Sequence, residues 1–276
     1  MSQKTKRRLG SLLKELIYWI LALAVIIPFL IVIFNAFKTQ YESINMDFSL
    51  PTQLHWENFA KVWKEGSILR SYFNSFVISV GSVVLSVLTS SMCAFVLSRN
   101  RTKGNRALYV FFSLGLMFPL SMVTVVKVMR VMGLYNSLLG VVLLFTALLI
   151  PLSLFLYYGF ISGIPQELDE AAIMDGAGSL RLFIQIILPV MRPVTVTVIM
   201  INFLNAWNDF STPLYLLPDP DKAVVVQQVY NFYGTFTANW NLVSVTIMYA
   251  ILPILIVYIL GQKYIISGMV AGSVKG

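Results

Sequence analysis

Charge is scarce in this 276-residue chain: Asp, Glu, Lys and Arg together make up 12% of it, about half the share of an ordinary soluble domain. That leaves too little polar surface to hold a protein of this size in water. Cys93 is the sole cysteine, so no internal disulfide forms and redox compartment is not indicated; it reads as a small buried apolar residue. His55 is the sole histidine, and neither a His-Glu-x-x-His pair nor a Gly-x-Ser-x-Gly turn occurs. Hydrolytic enzymes of those types are therefore excluded, and His55 reads as a surface residue. A Gly-x-x-x-x-Gly-Lys-Ser/Thr loop is missing as well, so the chain does not cradle ATP phosphates in the usual way. No internal repeat is visible, and Asp209 is the only acid within an apolar run. Both facts speak against an ion-coupled secondary transporter, which usually shows a repeat and ionisable groups near mid-membrane.

What the chain does have is long apolar runs, with 58% hydrophobic residues overall. Segments 16–37, 71–98, 107–126 and 131–166 carry no charge, 193–218 carries only Asp209, and 223–262 carries none. A bilayer core needs about 20 apolar residues per helix. The alternating pattern of a barrel strand is absent, so helices are the spanning elements. The expectation is an all-α integral membrane protein with six transmembrane helices near 13–37, 72–97, 107–126, 138–161, 194–217 and 242–262. The whole of 1–276 then forms one membrane domain. The first run follows Lys4, Lys6, Arg7 and Arg8, but it is too long for a signal-peptide core and lacks a small-residue cleavage site, so it reads as a retained helix.

An even number of spans puts both termini on one side. With that side cytoplasmic, the inside segments hold 13 Lys and Arg against 7 outside, and the positive-inside rule favours cytoplasmic termini. The net charge of +8 also suits contact with anionic lipid, and no nucleic acid is expected as a partner. In the first outside segment, Trp56, Phe59, Val62 and Trp63 recur at helical spacing. Residues 56–64 therefore read as an amphipathic helix, lying on the membrane surface or against a partner's outer domain. Pro119, Pro151 and Pro253 are expected to kink their spans.

The most informative segment is the cytoplasmic loop 163–193. Pro165 suits a first helical position, and Glu167, Asp169 and Glu170 follow in the first turns. Gly176 and Gly178 stop that helix, and Ser179 suits the N-cap of a second one running to Pro189. Ala171 and Ala172 give the first helix a close-contact face flanked by Glu170 and Asp175. A short helix that needs a groove and offers an acid is suited to docking.

This spacing, Glu170-Ala171-Ala172, then Gly176, Ile186 and Leu188-Pro189, resembles the EAA loop of ABC-transporter permeases. The ending 268–276, the Trp207-Asn208-Asp209-Phe210 segment and the Tyr72-Phe73-Asn74-Ser75 start of span two are similar to the smaller, six-helix permease of maltose-type carbohydrate uptake systems. The resemblance covers nearly the whole chain. It implies a cell-membrane transport subunit rather than an enzyme, in a bacterial or archaeal cytoplasmic membrane. It further implies a coupling helix at about 166–176, docked on two cytoplasmic ABC ATPase subunits that bind ATP and Mg. Glu170 would meet a basic residue there, and a tail, 263–276, would reach the interface between the ATPases. A homologous second permease would complete a heterodimeric pore, and an extracytoplasmic binding protein would deliver a sugar, with an oligosaccharide favoured. A different ABC solute, such as a polyamine or phosphate, is the alternative.

Span five carries Asn202, Asn205, Asn208 and Asp209. On an unbroken helix Asn202, Asn205 and Asp209 share a face, with Phe203, Trp207 and Phe210 on another. Polar groups at membrane depth face a cavity or a partner helix. Two readings stay open: a substrate pathway, with Asn205 and Asp209 the foremost contacts and Trp207 stacking on sugar, or hydrogen bonds that hold helices together. Asn74 and Asn136 are weaker candidates near membrane boundaries.

Overall fold

The computed structural model describes residues 3–100, 102–233 and 239–273, and side chains from 12 to 262 within them, residue 13 apart. Among these residues the chain is helical and contains no sheet. The helices are α1 (Gln3–Ala36), α2 (Glu57–Glu65), α3 (Ile68–Arg99), α4 (Lys103–Leu114), α5 (Met122–Val131), α6 (Leu138–Ile161), α7 (Glu167–Met174), α8 (Ser179–Leu182), α9 (Leu188–Val190), α10 (Arg192–Asn208), α11 (Ser211–Leu216) and α12 (Trp240–Ser273). A π-helical turn, Phe183–Ile187, joins α8 to α9.

The chain divides into two compact units. One comprises Met1–Ile68 with Gln228–Ile251. Its α1 is apolar over Lys14–Ala36 and has none of its most apolar stretch buried, so lipid or another chain must cover it. Near its C-terminal end α1 meets the rest of the unit. There the buried Asn58 of α2 donates to the carbonyls of Ala36 and Lys38, both at 2.9 Å, and accepts from Asn241 at 3.2 Å. Val62 is fully buried, and Phe59 and Trp63 pack on Tyr249. The expected amphipathic helix therefore exists, and it packs on its own chain. Lys38 is buried, and its ammonium meets Asp47 at 2.6 Å. The Lys38 and Ser49 hydrogen bonds hold the Asp47 carboxyl down at about 2. Glu42, bonded by Thr52 and Thr39, is likewise held at about 2.

The second unit comprises Leu69–Gln227 with Leu252–Gly276. One apolar cluster joins Ile78, Met129, Val141, Phe145 and Leu216; another joins Ala94, Tyr157, Ile161, Ala172, Ile187 and Val198. Along α3 a file of buried serines, at 71, 75, 79, 82, 86 and 90, follows helical spacing and lets neighbours approach closely. Gly81 sits against Val142 of α6, where a Cβ would lie 3.1 Å from its methyl, and Ser82 bonds the Val142 carbonyl at 3.2 Å.

The expected span pattern needs correction. Among the described residues, four helical segments are long and apolar enough to cross a membrane, Lys14–Ala36, Ile68–Arg99, Leu138–Ile161 and Trp240–Gln262, with a fifth if Ser179–Val190 and Arg192–Asn208, bent by 78°, count as one. The expected third span, 107–126, is two helices of 12 and 10 residues, α4 and α5. Pro119 lies in the gap between them; it lacks an N–H and disfavours a helical residue before it. The expected fifth span, 194–217, breaks after Asn208, where Asp209 is extended (φ −71°, ψ 112°). The expected tail at 263–276 begins as an uninterrupted continuation of α12 as far as Ser273; residues 274–276 lie outside the described residues.

Candidate functional site

Helix α7 occupies most of the stretch expected to dock. It starts at Glu167, with Gln166 in the cap position and no side-chain cap bond, so Pro165 lies ahead of the helix rather than in its first position. Glu167, Asp169 and Glu170 fall in the first turn, where carboxylates oppose the helix dipole. Ala172 is 5% exposed and enters the apolar cluster with Ile161, Ile164, Leu182 and Phe183. A larger residue there would lift the helix off its bed. Glu170, Ala171 and Asp175 are exposed on the other side. The doublet thus divides its work: one alanine packs and the other leaves the surface low.

The glycine has a different cause. Gly176 has φ +78°, and a Cβ there would meet nothing within 4 Å, so conformation rather than space demands glycine. The Ala177 N–H reaches the Ala172 carbonyl and the Gly176 N–H the Ile173 carbonyl, both at 2.9 Å, which closes α7 in a Schellman turn. Gly178 is extended and caps α8, with Ser179 as its first helical residue; the N-cap therefore lies one residue before the expected Ser179. Past it, the Leu188 N–H bonds Phe183, five residues back. This wide turn sits next to Pro189, which has no N–H to continue an α-helical ladder. Ile186 and Leu188 are half-buried against the same cluster, and Pro189 is exposed.

An ion pair that the sequence reading missed anchors α7. Arg99, the last residue of α3, places Nε 2.6 Å from Asp169 Oδ2. Its Nη2 donates to Asp169 Oδ1 at 3.1 Å and its Nη1 to the Ile164 carbonyl at 3.1 Å. Both side chains are 12% exposed. An open cavity of about 390 Å³ lies alongside, lined by Ser98, Arg99, Ser162, Ile164 and Gln166.

The polar residues of α10 do not share one environment. Asn202 is 1% exposed, and its Nδ2 donates to Ser86 Oγ of α3 at 3.0 Å and Ser153 Oγ of α6 at 2.8 Å; it ties three helices. Asn205 is exposed and bonds the Ile201 carbonyl one turn back, at 3.0 Å. Asn208 is exposed too. Asp209 has left the helix, so the shared face expected for it dissolves: its carboxylate accepts from the Thr212 N–H at 2.9 Å and the Thr212 hydroxyl at 2.7 Å, and so fixes the start of α11. Trp207 is 3% exposed and stacks on Phe203 at 5.4 Å.

Asn74 has structural partners through its side chain and Asn136 through its backbone. Asn74 donates to the carbonyls of Asp221 and Ala223, both at 3.0 Å, and Ser75 accepts from the Val225 N–H at 2.9 Å. Arg70 pairs with Asp221 at 2.7 Å, and Lys222 reaches the Asn136 carbonyl at 2.8 Å. The start of α3 thus pins the loop that follows α11.

Residues 86–270 match the family described as binding-protein-dependent transport system inner membrane component. Over 264 residues the chain is 33% identical to the diacetylchitobiose uptake system permease protein of Streptomyces coelicolor, covering 94% of this chain and 87% of that protein. It is 33% identical over 260 residues to the melibiose/raffinose/stachyose import permease protein of Bacillus subtilis, covering 93% and 94%. It is 32% identical over 279 residues to a multiple sugar-binding transport system permease protein of Streptococcus mutans, covering 99% and 100%. In fold it matches a chain of a bacterial ABC transporter involved in the import of the acidic polysaccharide alginate, with TM-score 0.84, 21% identity and coverage of 96% and 98%.

Proposed function

The chain belongs to the family of binding-protein-dependent transport system inner membrane components, and from that premise we propose that it is a pore-forming permease subunit of an ABC importer for an oligosaccharide. It is a multi-pass membrane transport component. The sugar reading is supported by relatives named for diacetylchitobiose, for melibiose, raffinose and stachyose, and for multiple sugars. In this reading both termini are cytoplasmic, and the broken segments α4–α5 and α10–α11 complete six crossings. A homologous permease supplies the other half of the pore, two ABC ATPases bind ATP and Mg, and an extracytoplasmic binding protein brings the sugar.

One observation carries the mechanism: α7 buries Ala172 while leaving Glu170, Ala171 and Asp175 bare. A short helix with one face fixed to the permease, and with Glu170, Ala171 and Asp175 exposed beside the apolar Ile173 and Met174, suits a groove in an ATPase, with Glu170 meeting a basic residue there. Closure of the ATPases would pull α7 and alternate access to the pathway. Around α10, Asn205 and Asn208 are the exposed amides available to sugar hydroxyls, with Asp209 and Trp207 beside them, whereas Asn202 is engaged between helices. The test is to purify the chain with its operon partners in lipid nanodiscs and to measure ATPase activity against a panel of sugar-loaded binding proteins. Stimulation by one class of sugar supports the reading. A functional transporter purified without ATPase subunits would overturn it.

A further inference from the structure

An eight-residue helix is not stable by itself in water, so α7 can transmit a displacement only through what it is fastened to. Its backbone leads to α6 on one side and α8 on the other. Toward α3 the fastening is of another kind. Ala172 makes apolar contact with the cluster that includes Ala94, and such contact resists separation but has no preferred direction. The Arg99 guanidinium is directional: Nη2 donates to Asp169 Oδ1 and Nη1 to the Ile164 carbonyl, with Nε in charge contact with Asp169 Oδ2 at 2.6 Å. It therefore holds the first turn of α7 and the turn leading into it at one angle to the end of α3. The three contacts use the planar fork of arginine, which a lysine ammonium does not reproduce. Asp169 is 9% exposed and points away from the bare face, so this carboxylate is not among those available to a docking partner.

We infer that Arg99 is a positioning residue, a latch to Asp169 that makes α3 and α7 move as one body when the ATPases close. The proposal rests on the coupling reading of α7 given above. It assigns two adjacent acids of α7 separate tasks: Glu170 faces the partner, and Asp169 passes the displacement to α3. Without the latch, α7 still docks, but part of its movement is lost in a hinge between α7 and α3.

The experiment uses the assembled complex with Cys93→Ser as background and spin labels at Val96→Cys on α3 and Leu168→Cys on α7, both exposed positions. Interspin distances are measured without nucleotide and after trapping with ATP and vanadate, so the identity of the sugar is not needed. The latch predicts one narrow distance, the same in both states. In Arg99→Ala and in Asp169→Asn the distance broadens and shifts on trapping, and ATPase subunits still co-purify. Arg99→Lys gives partial recovery, and the charge exchange Arg99→Asp with Asp169→Arg restores the narrow distance, which a variant that merely failed to fold would not do. Identical distances in wild type and single variants, with ATPases bound, overturn the latch alone. Absence of ATPase subunits from the wild-type preparation overturns the coupling reading and the latch with it.

Discussion

Asn202 offers a decisive perturbation, because its two possible roles predict opposite outcomes. Its amide is 1% exposed and spends both hydrogens on Ser86 and Ser153. Truncation to alanine removes both bonds. It strands neither hydroxyl, since Ser86 also bonds the Val83 carbonyl at 3.1 Å and Ser153 the Leu149 carbonyl at 2.8 Å. The loss is therefore the net value of two interhelical bonds, about 0.6 kcal/mol each within membranes, plus a small cavity: about 1–2 kcal/mol in all. Asn202→Leu fills the cavity and costs about 1 kcal/mol or less. The assay is thermal unfolding of the chain in nanodiscs, with a double-mutant cycle of Asn202→Ala and Ser86→Ala; the coupling energy is expected at about 0.6 kcal/mol and no more than about 1.7 kcal/mol. Sugar preference in uptake assays stays unchanged. A variant of unaltered stability that takes up a different set of sugars would refute the clamp and return Asn202 to the pathway.

Four further outcomes follow from the geometry. Gly176→Ala forces a Cβ into a left-handed residue at about 1–2 kcal/mol, and hydrogen exchange at 174–178 is expected to accelerate, with Gly176→Asn milder. Asn74→Ala releases the carbonyls of Asp221 and Ala223 and costs about 1–3 kcal/mol, read as faster protease cleavage at 218–223. Asp47 and Glu42 are both depressed to about 2 from 3.8 and 4.5. Their contribution to stability is thus complete above about pH 4.5 and is lost as pH falls toward 2; exchange of the 39–56 amides is expected to rise across that interval, and Asp47→Asn to remove part of the dependence. Glu170→Lys reverses the charge on the bare face of α7 and is expected to lower the yield of co-purified ATPase subunits without changing the thermal unfolding of the chain.

How much of this was legible in the sequence depends on the range of the determining contacts. The α7 segment was readable because its causes are local: acids in the first turn, alanine for close approach, and a left-handed glycine at the end all lie within ten residues. The long apolar helices α1, α3, α6 and α12 were readable from hydropathy for the same reason. Span three was misread because uninterrupted hydropathy says nothing about a backbone break, and Pro119 was assigned a kink where the helix in fact stops. Asp209 was placed on a helical face because the reading continued the 3.6-residue period past Asn208, although Asp209 and Thr212 have the spacing of a cap. Arg99 and Asp169 stand 70 positions apart, and nothing in either neighbourhood announces the other. The file of serines on α3 is a period in the sequence, but serine carries no hydropathy signal that marks it.

That file has a mechanical meaning. Ser82 and Ser86 each return a hydroxyl to a carbonyl of α3 itself, so the surface these two form asks little of whatever lies opposite. Two helices meeting across such a surface can part and meet again without leaving those donors bare, and the barrier to doing so is that of smooth contact between small groups. Against that permissive background the bonds that leave the file stand out, from Ser82 to the Val142 carbonyl, from the Val225 N–H to Ser75 and from the Asn202 amide to Ser86, because their geometry has to be rebuilt each time.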